Sequence, residues 1–227
     1  MVFIGGNPVI GGLLGSRVYV TTVTSAANAS SYTFTNTAIG VADATRYVVV
    51  CVAVGSGLLF NRPISGVTIG GSAATIHRQD GDPTIGVARS GIVGLAVSGG
   101  TTATIVVSVS GGTASNCAIS TYALYNLRST TPFATNGADD PLASSVATTL
   151  NIPSRGIGLA AVTSVLGSGG ADPVTMSGLT ADVDVSNGGE ARVTAASLER
   201  MAAETARPIS ASGSADTRWA ISVASWQ

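Results

Sequence analysis

The sequence predicts an all-β protein: an antiparallel β-sandwich, jelly-roll-like, with an extended N-terminal arm. Three observations predict it. Val, Ile and Ala alternate with Ser, Thr and Gly along most of the 227 residues, the pattern of strands that show one face to a core. Twenty-nine glycines cut this alternation into short runs, as turns do. No long crossover helix is legible, and parallel strands require crossovers. The chain is 45% hydrophobic and only 10% charged, yet its longest clear apolar run, Tyr47–Val54, falls far short of the ~20 residues of a spanning helix. Membrane insertion is not expected.

Residues 1–16 read as the arm and 17–227 as a single β-sandwich domain. In the arm, Phe3, Ile4, Val9, Ile10, Leu13 and Leu14 are spaced by Gly5-Gly6 and Gly11-Gly12. Burying each large apolar side chain is worth ~1.5–3 kcal/mol, and ordering the backbone costs ~1–2 kcal/mol per residue. The two terms nearly cancel for a lone arm, so the segment makes sense docked on a preformed groove, where symmetry multiplies a small surplus. A first strand of the chain's own sandwich and a disordered tail are the competing readings. Without a basic n-region, and with Pro8 and five glycines, the segment is a poor signal peptide.

From Arg17 the strands follow in order. RVYVTTVTS alternates imperfectly. SYTFTNTAI places Tyr32 and Phe34 on one face. RYVVVCVAV is apolar on both faces, as a central strand between two layers must be. GVTIGGSAATIH reads as a hairpin returning from Ala73 to Ile76, because Gly70-Gly71 supplies the positive φ of a primed turn. A second hairpin is expected around Gly99-Gly100, then the strand CAISTYALYNL. RSTTPFATNGADDP is the most polar stretch to that point and reads as a loop. Six shorter runs and RWAISVASW complete about a dozen strands, with Trp219, Ile221 and Val223 on one face of the last. Ser197–Pro208 could form two helical turns; an irregular strand ending suits its flanks better. Composition does not shift along the chain and no internal repeat is evident, so one two-sheet sandwich is expected.

Chemistry-bearing residues are sparse. All eleven basic residues are arginines, scattered singly, and the net charge is −1; nucleic acid, which needs clustered positive charge, is not an expected partner. Cys51 and Cys117 lie in apolar runs and read as buried thiols, their pairing left open by sequence. The sole histidine, His77, has Asp80 and Asp82 nearby but no nucleophile elbow to serve. Asp80/Asp82, Asp139-Asp140 and Asp182/Asp184 could each offer two carboxylates to calcium, yet none completes a ligand loop. DGDP and DDP are ordinary turn chemistry, and Asp182 with Asp184 reads as a solvated strand face. Only three glutamates exist, Glu190, Glu199 and Glu204, and 5% aromatic content is low for a sugar-cleaving groove. Trp219 and Trp226 read as anchors of the core and of a subunit contact. No enzyme, cofactor or metal is therefore expected.

RYVVVCVAV, ISGVTIGGSAATIH, TTATIVVSVSGG, CAISTYALYNL and RWAISVASWQ together resemble structural proteins of tailed-bacteriophage virions, from about Ser31 to the end. VTIGGSAATI is also similar to hairpins of immunoglobulin-like bacterial surface modules. The phage resemblance implies a β-sandwich on the particle exterior, as head decoration, spike or tail-fibre component. Its partners would be copies of itself and other capsid or tail proteins, and its place the virion. The alternative is a glycan-binding module of an adhesin, with Arg128–Pro141 reading a host surface glycan.

Overall fold

The computed structural model describes residues 14–56, 61–83, 87–166, 173–188 and 191–227, and the backbone alone of 214–217. Every strand pair is antiparallel, and the described residues include no helix. The expected all-β, jelly-roll-like class is the one observed. Three sheets form it, however, where one two-sheet sandwich was expected.

The first half builds two sheets from β1 (Ser16–Ser25), β2 (Ser31–Ala38), β3 (Tyr47–Gly55), β4 (Ile64–Ile69), β5 (Ser72–Ala73), β6 (Thr75–Asp80), β7 (Ala88–Ala96), β8 (Thr102–Val109) and β9 (Asn116–Tyr125). Their orders are β1-β9-β3-β7-β6 and β2-β8-β4-β5. With β6 set aside as an added edge, the remaining eight strands run 1-8-3-6 against 2-7-4-5. That order arises when one long hairpin, pairing strand 1 with 8, 2 with 7, 3 with 6 and 4 with 5, is rolled so that alternate pairs fall in opposite sheets. It is the jelly roll.

Sequence explains the central position of β3. All nine of its residues are buried: Val48, Val50, Val52 and Val54 pack on Tyr32, Phe34, Val67, Ile105 and Val107 of the sheet beneath, while Tyr47, Val49 and Cys51 face the other way. Gly70 and Gly71 take φ of +60° and +82° and close the β4–β5 turn as expected. The return strand ends at Ala73, though, and β6 crosses to the other sheet. Gly99-Gly100 closes no hairpin, since β7 and β8 lie in different sheets.

The third sheet comes from β10 (Ala134–Ile152), β11 (Gly156–Val165), β12 (Thr175–Ser177), β13 (Thr180–Asn187), β14 (Ala191–Met201) and β15 (Glu204–Trp226). Ala134 onward is therefore strand where a loop was expected, and Ser197–Pro208 is the end of β14 and the start of β15, broken at Ala202-Ala203, the irregular strand ending that was preferred over a helix. The β10–β15 register breaks around Ala143. Residues 134–140 pair with the end of β15 in the order β10-β15-β11-β14-β13, whereas 145–152 pair with 204–212, which also hold β12. The long pair folds over its own sheet, and Val146, Leu150, Ile209 and Ala211 close a core on Val162, Trp219, Ile221 and Val223.

The two halves repeat one pattern: β10 matches β1 plus β2, β11 matches β3, β12 matches β4, β13 matches β6, β14 matches β7, and β15 matches β8 plus β9. Registers agree over the middle of the central strands. Val52 lies opposite Gly91 and Ile119, as Val162 lies opposite Thr194 and Ile221. This register superposes Ala118-Ile119-Ser120 on Ala220-Ile221-Ser222, and Ala88-Arg89 on Ala191-Arg192. The bulge of β6 at Ile76/Arg78 has its counterpart in β13 at Ala181/Val183, whereas the shifts at Tyr19/Thr21 and Gly156/Gly158 each belong to one half.

The halves pack sheet on sheet. Cys51 and its equivalent Ala161 share the central cluster with Leu124, Leu159 and Trp226, and the Cys51 thiol donates to the carbonyl of Ala160 at 3.8 Å. To one side Val87 and Ala88 pack on Val165, Ala191 and Ala220. Elsewhere Val193 packs on Ala53 and Ala118.

Candidate assembly surface

Of the six arm residues, Phe3, Ile4, Val9, Ile10 and Leu13 lie outside the described residues. Leu14 is 45% exposed, and Gly15 sits where a Cβ would touch Gln227, Ile157 and Leu127. The arm thus joins the body beside the C-terminus, and β1 starts at Ser16 rather than Arg17. β1 is a sheet edge ten residues long. Its single charge, Arg17, is held by the second half: its amide donates to Glu199 at 3.0 Å and its guanidinium pairs with Asp182 at 3.5 Å. Edges are usually guarded by charge or proline; from Val18 to Ser25 this one carries neither.

Two open grooves flank this region. One, of about 540 Å³, runs between β1 and β13, lined by Tyr19, Val20, Thr21, Thr24, Val183 and Val185 among others. Another, of about 450 Å³, is lined by Phe133, Ile152, Pro153, Glu204 and Gln227 among others. Phe133 stands 60% exposed at its rim.

The β1–β13 groove has a closed counterpart. The equivalent contact joins β10 to β6, where Asp80 chelates Arg78 at 2.8 and 2.9 Å, accepts from Ser222 at 2.7 Å, and lies so close that a Cβ on Gly137 would collide with it. In the register of the repeat, Asp80 corresponds to Val185, Gly137 to Thr22 and Ser222 to Ser120. Thr22 and Ser120 bond each other at 2.6 Å, and Val185 carries no carboxylate to bridge to them. The groove is the place where that seal is missing. Sequence reasoning passed over this surface, because the lack of charge along β1 is its only trace.

The remaining candidates serve the fold. Cys51 and Cys117 are free and buried, and burial pushes both thiols well above the ordinary range. His77 meets the Tyr47 hydroxyl at 2.7 Å and the edge of Trp226 at 5.9 Å between ring centres. Burial lowers its pKa and pushes Tyr47 up to about 12, so the pair is neutral. Asp182 and Asp184 do not form a solvated face. The bulge between Ala181 and Val183 sends Asp182 toward Tyr122 (2.8 Å), Ser197 and Arg17. Asp184 turns the opposite way to Arg192, Thr194 and the amide of Val174.

Asp139 is pushed up by burial and by the neighbouring Asp82 and Asp80 charges, and the amide of Leu142 donates to Asp140 at 3.1 Å. Glu204 pairs with Arg207 at 2.8 Å; Glu190 lies outside the described residues. Among those described, no three His, Cys, Asp or Glu side chains gather as a metal site. Trp219 and Trp226 are buried within the chain, donating to the carbonyls of Ala143 and Thr130.

No family model and no curated protein matches the chain. Among solved structures, it is similar to one from Sulfolobus turreted icosahedral virus, with 12% identity, 98% of this chain and 61% of the other covered, and a TM-score of 0.29. A second, described as a triple jelly roll fold with turret assembly in an archaeal virus, shares 13% identity over 94% and 59% at a TM-score of 0.27. The chain spans about three fifths of the length of each.

Proposed function

We propose that this chain is a non-enzymatic structural component of a virus particle, placed on the exterior as head decoration, spike or tail-fibre element and joined to copies of itself and to neighbouring virion proteins through its N-terminal arm. One observation carries the reading: two stacked halves hold His77, Asp80, Asp182 and Asp184 on partners within the chain and leave an unguarded β1 edge where the apolar arm begins. Jelly rolls also serve in lectins and small-molecule enzymes. Here His77, Asp80, Asp182 and Asp184 are each tied to a structural partner, and both thiols are buried. A surface of Ser, Thr, Asn and Gly, poor in the charge that keeps free monomers apart, suits a subunit held beside neighbours.

Deleting residues 1–15 tests the proposal. The truncated chain is expected to keep its far-UV circular dichroism and unfolding midpoint while sedimenting as a monomer that no longer joins particles. A truncation that assembles like the full chain sinks the reading. Glycan binding that survives the truncation, in a chain absent from particles, would support the adhesin alternative instead.

A further inference from the structure

The geometry points to a receptor for the arm, an inference that rests on the proposed function: the groove between β1 and β13 takes residues 2–13 of a second copy as an added strand on the β1 edge. Three observations converge on it. The β1 edge is ten residues long and uncharged beyond Arg17, and no described strand pairs with its outer side, which makes it a template for strand addition. A strand added there would turn alternate side chains inward, over Val183 and Val185, whose apolar faces line the groove. The equivalent place in the other half is already sealed by Asp80, Ser222 and Gly137; a chain with two such places has closed one and left the other open.

Reach selects a second copy over the chain's own arm. The groove extends along β1 from Tyr19 to Thr24, about 20 Å at roughly 3.3 Å per residue. The chain's own arm is tethered at Ser16 and would have to reverse through Gly11-Gly12, which pairs Ile10 with Leu13 and runs out of residues near Thr21. An arm from a neighbour has no such tether. Pro8 lacks an N–H and is tolerated in an edge strand when its nitrogen faces outward.

Cross-linking the full chain tests this. Val9→Cys combined with Thr24→Cys, under mild oxidation, is expected to give disulfide-linked dimers and higher species on a non-reducing gel; Cys51 and Cys117, both buried, add no background. An intramolecular bond alone, or cross-linking only when Phe133→Cys replaces Thr24→Cys, overturns the assignment. A second variant, Val185→Asp, puts at this groove the carboxylate that seals its counterpart. It is expected to convert the oligomer to monomer in sedimentation with unchanged circular dichroism; an oligomer that persists counts against the groove. If removing residues 1–15 dissociates the oligomer while Thr24 never cross-links, only the receptor is wrong. An oligomer unaffected by that removal overturns the proposed function as well.

Discussion

Arg46 shows why this chain uses arginine and no lysine. It is 1% exposed, and its guanidinium donates to the carbonyls of Val97 at 2.7 Å and of Gly40 and Gly99 at 2.6 Å, tying the loop before β3 to the end of β7. Arg62 repeats the device, donating to the carbonyls of Thr113 and Asn61. A planar fork meets several carbonyls at once, whereas an ammonium is a point charge. Arg46→Lys loses two of the three bonds, each worth about 1.5–3 kcal/mol when charge-assisted. The expected cost is about 3 kcal/mol or more in urea unfolding, against near neutrality for Arg128→Lys, whose contact to Gln227 is exposed. Scattered arginines were legible in the sequence; their work as buried staples was not, because the carbonyls of Val97, Gly99 and Thr113 that they serve lie some fifty residues away.

β6 and β13 carry the lesson at the scale of elements. Each has one bulge at an equivalent place, and the bulged residue of each, His77 or Asp182, points at the opposite half. His77 makes that contact as a neutral ring. Its folded pKa lies below its ordinary value, so its contribution to stability is complete above the unfolded pKa of about 6.5 and is lost as pH falls through the depressed folded pKa. Urea midpoints are therefore expected to drop between pH 7 and pH 5, and to drop less in His77→Gln; equal slopes would contradict a buried neutral imidazole. Strict alternation placed Asp182 and Asp184 on one face. A single extra residue moves a side chain to the other face, and nothing local in ADVDVS marks it. The turn at Gly70-Gly71 was legible because two positive φ angles require glycine. The crossover after Gly99-Gly100 was not, because a turn does not say whether its strands share a sheet.

At the scale of the molecule, each half shows the other a flat apolar face: Tyr47, Val49, Cys51, Tyr122 and Leu124 against Ile157, Leu159, Ala161, Ala224 and Trp226. A half produced alone would expose that contiguous apolar face to water, an aggregation liability. Residues 1–127 and 128–227 expressed separately are expected to aggregate, and to yield a soluble one-to-one complex when co-expressed. Two independently soluble halves would contradict the packing. Periodicity and residue preferences within a few positions were enough to give the all-β class, the central position of β3, the inward face of the last strand and the lack of long crossover helices. The repeat, the packing of the halves, the bulge geometry and the open groove beside β1 came only with the tertiary structure. Each depends on which distant segments pair and in what register, and the same alternation of valine with threonine allows many pairings until the two cores close together.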